Sequence, residues 1–270
     1  MIDIRLLLID EGRQQLSLAS TKDSIFHWTM DLADFPLARD MQRLDDERVL
    51  VGYDHGFFEL EWRTGRILAN CDRWNEVTAV TRLPDGSTLV TGLDLDGQGG
   101  VTVLTLDAGG RLLHTARRNG DYVRLMRVTP QGTYLLCTND HIKETDENLS
   151  EIRRFIAPGF EHAWKAERRT DGSTWVSAGY GAFMAVFDAE GRLVRRFGAA
   201  SEVPPKVAPF FYATHSLLAD GTLLVANWQG HGPGNGEKGA QLLQFSPAGA
   251  MLATWSAPER ISSLQGILPV

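Results

Sequence analysis

Charged and imidazole side chains recur at matched distances before a series of predicted turns. Arg39 and Arg124 each lie eight residues before a turn marker. Glu76 and His162 lie ten residues before theirs, and His215 lies six before its own. The markers, in chain order, are Glu47, Gly86, Gly132, Gly172 and Gly221. All the offsets are even, and side chains alternate along a strand with a period of two, so the five should share one orientation.

These five side chains suit a polar, oxygen-rich ligand such as a sugar acid or a glycoside. A guanidinium group forms paired hydrogen bonds to a carboxylate, so Arg39 and Arg124 would hold an anionic group or a developing oxyanion. His162 and Glu76 would move protons as general acid and base, and His215 would contact the ligand at a greater depth. The alternative is structural, because polar residues at inner strand ends also bond to neighbouring backbone. His215 in particular fits a buried core histidine.

Aromatic residues and a glycine-rich loop add candidates for ligand binding. Tyr180, Tyr212 and Trp228 lie in predicted loops or at strand starts, where an aromatic ring can stack on a sugar. His231 lies in WQGHGPGNGEKG (228–239), the only long glycine-rich loop. This loop is expected to be a lid or ligand clamp, or else a tolerated insertion. It lacks the Gly-Lys-Ser/Thr ending of a phosphate-binding loop.

A divalent metal is an open alternative at the same site. Carboxylate and imidazole groups suit several divalent ions, and four candidates could converge on one ion: Glu76, His162, His215 and His231. Their spacing has no local signature such as HExxH, so neither the presence nor the identity of a metal follows. Nucleophilic catalysis is not favoured, because there is no GxSxG motif and neither cysteine lies near a predicted site histidine.

The elements that must position these residues form a repeat. Five segments each place a turn before a β-rich run: RLDDERVLVG (43–52), RLPDGSTLV (82–90), RVTPQGTYLL (127–136), RRTDGSTWV (168–176) and LLADGTLLVA (217–226). Their markers are 39, 46, 40 and 49 residues apart. Turns of a second type, such as DAGGRLL (107–113), lie between them. A period of about 40–50 residues with four short strands per unit is typical of a β-propeller blade.

The sequence therefore predicts an all-β fold, a six-bladed β-propeller in one domain with four antiparallel strands per blade. Five blades are predicted at 36–71, 75–117, 121–157, 161–197 and 209–255. The sixth combines 5–30 with 261–270, so the C-terminal strand joins the N-terminal blade and closes the ring without an open edge. The tight turns then share one face. The irregular loops share the other face, which we expect to carry the site around the axis.

Several runs resemble the repeats of a known group of bacterial propellers. RLPDGSTLVTG, RVTPQGTYLL and THSLLADGTLLVANWQGHG look like repeats of the PQQ-like or NHL-type superfamily, over nearly the whole chain. The resemblance implies a six-bladed fold. It implies no single activity, because that superfamily includes lactonases, lyases and binding modules. A PQQ cofactor is not supported, because quinoprotein dehydrogenases are far longer and their tryptophan docking repeats are not evident here.

Composition and charge narrow the range of partners. The chain has 270 residues, with 27 Lys+Arg against 34 Asp+Glu and a formal net charge of −7. This acidic balance argues against a nucleic-acid partner. No apolar run approaches the ~20 residues of a membrane helix, so no membrane partner is expected. The opening MIDIRLLLID contains acids and too short an apolar stretch for a signal peptide, so we expect a cytoplasmic location.

Two functional hypotheses follow from the sequence. In the first, the protein binds a small polar ligand in an axial pocket and, if it is an enzyme, works as a lyase, isomerase or hydrolase by acid–base catalysis. In the second, it is a non-catalytic platform whose loop face binds another protein. A narrow, polar, concave site would favour the first. A flat face with dispersed aromatic and arginine anchors would favour the second.

Overall fold

The computed structural model describes all 270 residues, as six four-stranded antiparallel sheets in a ring. The first blade contains β1 (Arg5–Asp10), β2 (Gln15–Ser20), β3 (Ile25–Asp31) and the C-terminal β24 (Leu264–Pro269). The second contains β4 (Asp40–Arg43), β5 (Arg48–Tyr53), β6 (Gly56–Glu61) and β7 (Arg66–Asp72), and the third contains β8 (Val77–Arg82), β9 (Thr88–Leu93), β10 (Val101–Leu106) and β11 (Leu112–Arg118). The fourth contains β12 (Met126–Val128), β13 (Tyr134–Cys137), β14 (Ile142–Thr145) and β15 (Glu151–Phe155). The fifth contains β16 (Lys165–Arg168), β17 (Thr174–Ser177), β18 (Met184–Phe187) and β19 (Leu193–Phe197), and the sixth contains β20 (Phe211–Leu217), β21 (Leu223–Trp228), β22 (Leu242–Phe245) and β23 (Met251–Trp255). The predicted six-bladed β-propeller is confirmed.

The first blade is assembled from both ends of the chain. The C-terminal β24 pairs antiparallel with β1 and is the innermost strand of that sheet. At the end of β1, the buried carboxylate of Asp10 accepts hydrogen bonds from the backbone amides of Ser262 and Ser263, each at 2.8 Å. It also accepts one from the amide of Gly12 at 3.1 Å. The predicted ring closure is confirmed, and a single aspartate joins the two chain ends.

Aspartates build the tight turns that mark the repeat. In three turns of DGS or DGT sequence, the carboxylate accepts hydrogen bonds from the backbone amide and the hydroxyl of the residue two positions on; these are Asp85, Asp171 and Asp220. The glycine between them has a positive φ, for example 87° at Gly86, which glycine adopts without a steric penalty. Because these preferences of Asp and Gly act within a few residues, the turns can be recognised from the sequence alone.

Neighbouring blades are joined by apolar packing and by matching ion pairs. The buried apolar side chains form five clusters, and each draws on more than one blade. Arg82 of the third blade donates to Glu59 of the second at 2.8 Å, and its Nε donates to Thr88 of its own blade. Arg168 of the fifth blade makes the equivalent contacts with Glu144 of the fourth and a threonine of its own. The same Arg–Glu and Arg–Thr contacts therefore recur at two of the six blade junctions.

Helical structure is confined to one short turn. A 3-10 helix spans Pro205–Val207 in the connection between the fifth and sixth blades. No helix in the structure has the length and apolar character needed to cross a membrane.

Candidate axial site

A cavity of about 240 Å³ opens on the loop face of the ring. Every blade except the third contributes to its wall. The lining residues are Glu11, Leu37, Arg39, Arg124, His162, Trp164, Tyr180, Phe211, Trp228, His231 and Gln265. The site is therefore concave and combines cationic, imidazole and aromatic groups.

Two guanidinium groups line this cavity without a close carboxylate partner. Arg39 is mostly buried, its Nε donates to the carbonyl of Leu37, and its shortest approach to a carboxylate is 3.9 Å, to Asp54. Arg124 donates to the side-chain oxygen of Asn139 at 3.3 Å and forms no ion pair. Burial lowers the pKa of both arginines. At Arg39, nearby acidic groups such as Asp54 oppose this effect, whereas the charge of Arg124 adds to it. A ligand anion in the cavity would further stabilise both charged guanidinium groups.

Two buried hydrogen-bond donors in the cavity wall lack acceptors. The Nε of Arg124 and the Nε1 of Trp164 have no hydrogen-bond partner. Buried polar groups in folded proteins are almost always paired, so an unpaired group calls for a water or ligand. Both groups are donors, so what they require is an acceptor such as a carboxylate or hydroxyl oxygen.

Aromatic rings form the apolar part of the wall. Phe211 packs edge-on against Trp164, Tyr180 and Trp228, with ring centroids 4.8–5.4 Å apart. The guanidinium of Arg124 lies 5.9 Å from the centroid of the Trp164 ring. The rings give the cavity a rigid surface against which a sugar or other flat face can pack.

His162 presents an imidazole to the cavity that forms no hydrogen bond to the protein. Its backbone has a φ of 56°, an uncommon conformation for a non-glycine residue, and its amide donates to the carbonyl of Asn139 at 2.6 Å. Its ring packs on Tyr180, with centroids 5.4 Å apart. Burial, and secondarily the charge of Arg124, lowers the pKa of His162. Its surroundings therefore favour the neutral imidazole, the form that accepts a proton.

Glu11 brings a carboxylate to the cavity from the first blade. One of its oxygens accepts from the Nε1 of Trp228 at 3.1 Å, and the other accepts from the Nδ1 of His231 at 2.9 Å. His231 packs edge-on against Trp228, with ring centroids 4.6 Å apart. Glu11 thus fixes two cavity residues of the sixth blade.

The glycine-rich loop 228–239 packs closely on its surroundings. Buried Asn235 donates from its side-chain nitrogen to the carbonyls of Gly230, His231 and Gly232, at 2.9–3.0 Å. A Cβ at Gly12 would lie 2.4 Å from the carbonyl oxygen of Gly232, so this loop contacts the first blade where only glycine fits. The loop therefore forms part of the cavity wall, and its predicted role as a lid or ligand clamp, or else as a tolerated insertion, stays a prediction.

Six of the nine sequence-predicted site residues line the cavity: Arg39, Arg124, His162, Tyr180, Trp228 and His231. Three do not. Glu76 is exposed, and β8 has a register shift directly after it, between Val77 and Ala79, so the regular alternation assumed in counting offsets does not hold there. Tyr212 is fully buried between blades and donates to the carbonyl of Gly198. His215 is also buried, below the cavity, and neither ring nitrogen has a partner.

The four candidate metal ligands do not meet. Only His162 and His231 of that set line the cavity. The structure contains no group of three or more His, Cys, Asp or Glu side chains placed to hold a metal ion. The predicted convergence of Glu76, His162, His215 and His231 is therefore wrong.

Several lining residues were missed as site candidates in the sequence, although three of them lie at an even offset before a turn marker: Leu37 and Phe211 at ten residues and Trp164 at eight. Trp164 lies eight residues before the Gly172 marker, the same offset as Arg39 and Arg124. Phe211 adjoins the predicted Tyr212 and faces the other side of the strand, as alternation requires. Glu11 and Gln265 belong to the blade assembled from both chain ends, and no marker gave their register.

The architecture places the protein in the class of six-bladed β-propellers, with a cavity on the loop face. Among solved structures, it is similar to a protein of unknown function from Bacteroides caccae, with a TM-score of 0.83, 22% identity and coverage of 100% of this chain and 99% of that one. A functionally unknown protein from Desulfotomaculum acetoxidans has a TM-score of 0.60, 14% identity and coverage of 98% of each chain. A streptogramin B lyase has a TM-score of 0.59, 11% identity and coverage of 95% and 86%. No family model and no curated protein sequence matches the chain. At these identities the likeness shows the fold alone, and membership of the PQQ-like or NHL-type superfamily stays a prediction.

Proposed function

We propose that the protein binds a small, oxygen-rich organic anion of the sugar-acid type in the axial cavity. The observation that carries this proposal is the pair of partly buried guanidinium groups, Arg39 and Arg124, which line one cavity with no carboxylate closer than 3.9 Å. A ligand carboxylate would supply the close anionic acceptor that both lack, and charge-assisted hydrogen bonds of this kind are among the strongest in proteins.

The remainder of the wall suits the rest of such a ligand. Trp164, Tyr180 and Phe211 offer ring faces and edges for the apolar side of a sugar. Gln265 and the unpaired Nε1 of Trp164 offer hydrogen bonds for hydroxyl groups. A cavity of about 240 Å³ matches a ligand of about one sugar ring.

Acid–base catalysis on this ligand extends the proposal. Burial lowers the pKa of His162 and so favours its neutral form, which lets this imidazole take part in proton transfer. With the arginines holding the carboxylate, the chemistry would be that of a lyase, an isomerase or a hydrolase. Glu76 has no part in it, because its side chain does not reach the cavity.

The alternative is a platform that binds another protein. Its support is limited to two exposed apolar side chains beside the cavity mouth, Leu37 and Phe210, which are 55% and 44% exposed. The concave shape and the unpaired buried donors favour the small ligand.

Isothermal titration calorimetry with D-galacturonate, D-gluconate and neutral D-galactose tests the binding proposal. We expect the two acids to bind and the neutral sugar to bind far more weakly. Arg124→Gln and Arg39→Gln should each weaken binding by ~10–100-fold, as for loss of a charge-assisted hydrogen bond. Arg192→Gln, at an exposed turn of the fifth blade, is the matched control and should bind normally. Equal binding of acid and neutral sugar, or no binding of either acid, would contradict the proposal.

A further inference from the structure

We propose that Glu11 and His231 form a proton-transfer pair at the mouth of the cavity, in which His231 Nε2 removes a proton from the carbon beside the ligand carboxylate. This inference rests on the proposed function, since it requires the carboxylate to be held by Arg39 and Arg124. It assigns roles to a carboxylate and an imidazole that were not paired in the sequence.

The hydrogen bonds around Glu11 define which nitrogen of His231 is free. Glu11 Oε1 lies 2.9 Å from His231 Nδ1, and Glu11 Oε2 accepts from Trp228 Nε1 at 3.1 Å. A carboxylate only accepts, so Nδ1 must carry the proton. His231 Nε2 has no partner within the protein, and the side chain is 77% exposed. A neutral imidazole in this tautomer presents a free lone pair to a ligand.

The backbone around His231 is held by several hydrogen bonds. Asn235 bonds to the carbonyls of three successive residues, including His231 itself. Ser262 adds a hydrogen bond from its hydroxyl to the carbonyl of Gly232 at 2.9 Å. A side chain that must meet a reacting carbon benefits from such pre-organisation.

Glu11 is fixed by the ring closure. Its amide donates to the carbonyl of Ser263 at 3.0 Å, next to the Asp10 carboxylate that binds the amides of Ser262 and Ser263. Its side chain is only 17% exposed. The pair therefore spans the junction between the first and sixth blades.

The proton transfer balances without any co-reactant. The C–H bond beside the carboxylate breaks, its electron pair moves into the carboxylate as an enediolate, and the proton passes to His231 Nε2. Arg39 and Arg124 offset the added negative charge, and Glu11 stabilises the imidazolium. In D₂O the intermediate takes up deuterium. Loss of an oxygen substituent from the next carbon would instead complete an elimination.

Deuterium uptake tests this step without knowledge of the final product. Wild type is incubated in D₂O with D-galacturonate or D-gluconate, and NMR follows loss of the proton beside the carboxylate. His231→Gln should slow exchange by ~10²–10⁴-fold, the usual contribution of a general base. Calorimetric affinity for the acid should change only a few-fold. His27→Gln, which removes an imidazole on the outer strand β3, is the matched control and should exchange at the wild-type rate.

A spectroscopic measurement tests Glu11 as the positioning residue. In mildly alkaline buffer, ¹⁵N NMR of wild type should show His231 with the proton on Nδ1. Glu11→Gln keeps the shape but replaces one accepting oxygen with a donating NH₂ group, so it cannot accept from both Trp228 and His231. We expect the Nδ1–H form to lose population and exchange to slow, with the fold intact by thermal unfolding.

The two proposals fail in distinguishable ways. If neither acid binds, the proposed function fails, and the proton-transfer step with it. If the acids bind in an Arg124-dependent way but wild type catalyses no exchange, or His231→Gln exchanges as fast as wild type, only the proton-transfer pair is overturned. A wild-type His231 protonated on Nε2 overturns it without any ligand.

Discussion

The role of an arginine in this propeller depends on whether a carboxylate lies close to its guanidinium group. Arg82 and Arg168 line a wide cavity on the tight-turn face, but each is paired with a glutamate of the preceding blade at 2.8 Å. Arg39 and Arg124 have no such partner on the loop face. The same side chain therefore joins blades on one face and is available to a ligand on the other.

His215 was predicted as a ligand-binding residue, but it does not line the cavity. It is buried below the cavity, and burial, with a further contribution from Lys165, lowers its pKa to about 3. The unfolded chain would protonate it at roughly pH 6.5. As the pH falls, the unfolded state therefore binds the proton first, and stability is lost between about pH 6.5 and pH 3.

The first prediction concerns His215→Leu. We expect the wild type to lose about 2 kcal/mol of unfolding free energy through this group between about pH 8 and pH 5, and the variant to lose none of that part. Glu167 does not interfere, because the charge of Lys165 lowers the pKa of Glu167 to about 2, so its contribution is lost only at lower pH. Urea denaturation at the two pH values measures the difference. His114→Leu, on an exposed part of β11, is the control, and equal pH slopes for wild type and His215→Leu would contradict the prediction.

At the scale of elements, the contact between loop 228–239 and the first blade shapes one side of the site. Gly12 lies beneath this contact: a Cβ there would lie 2.4 Å from the carbonyl oxygen of Gly232 and 2.8 Å from the side chain of Ser262. The first of these atoms is backbone and cannot rotate away. Adding a methyl group must therefore move the loop.

The second prediction follows for Gly12→Ala. We expect a loss of about 1–3 kcal/mol of stability, the usual cost of overpacking. We also expect faster hydrogen exchange at the amide of Asn235, which donates to Ser262, and weaker binding of D-galacturonate. Gly109→Ala is the matched control, because the nearest atom to its Cβ is an aspartate oxygen at 3.4 Å and it lies in a remote turn. A loop that exchanges as slowly in Gly12→Ala as in wild type would show that the contact is not needed.

The sequence predicted the six-bladed fold because five of the six blades were marked by local turn chemistry. Turns such as Asp85-Gly86-Ser87 form through hydrogen bonds within a few residues, so they are visible without the tertiary structure. The site was only partly predictable. Even spacing selected Arg39, Arg124 and His162, which line the cavity, and also His215, which does not. Alternation along a strand indicates which side of the sheet a side chain faces, but not how far along the propeller axis it lies. Glu11 meets His231 only through ring closure, across 220 residues, and no local pattern encodes that contact.

At the scale of the whole molecule, the residues that close the ring also position part of the candidate site. The β24 strand supplies the innermost strand of the first blade, and Ser263, just before it, holds Glu11. The two chain ends are also adjacent, since the amide of Val270 donates to the carbonyl of Arg5 at 3.2 Å. We therefore expect ring closure to depend on the pairing of β24 with β1 and not on the position of the chain ends.

The third prediction compares a chain that lacks β24 with a circularly permuted chain that keeps it. In one, residues 264–270 are deleted; in the other, the ends are joined by a short Gly/Ser linker and new ends are opened at the exposed Asn119–Gly120 turn. The deletion removes buried Leu264 and Ile267, about 3–6 kcal/mol from these two side chains alone against a typical domain stability of about 5–15 kcal/mol. It also leaves β1 as an open edge prone to intermolecular pairing. We expect the deleted chain to aggregate or unfold without cooperativity. The permuted chain should elute like wild type, unfold cooperatively and bind D-galacturonate, as measured by size-exclusion chromatography, urea denaturation and calorimetry. A deleted chain that unfolds as cooperatively as wild type would mean that packing between the other five blades suffices to hold the ring, and that the C-terminal strand serves the site alone.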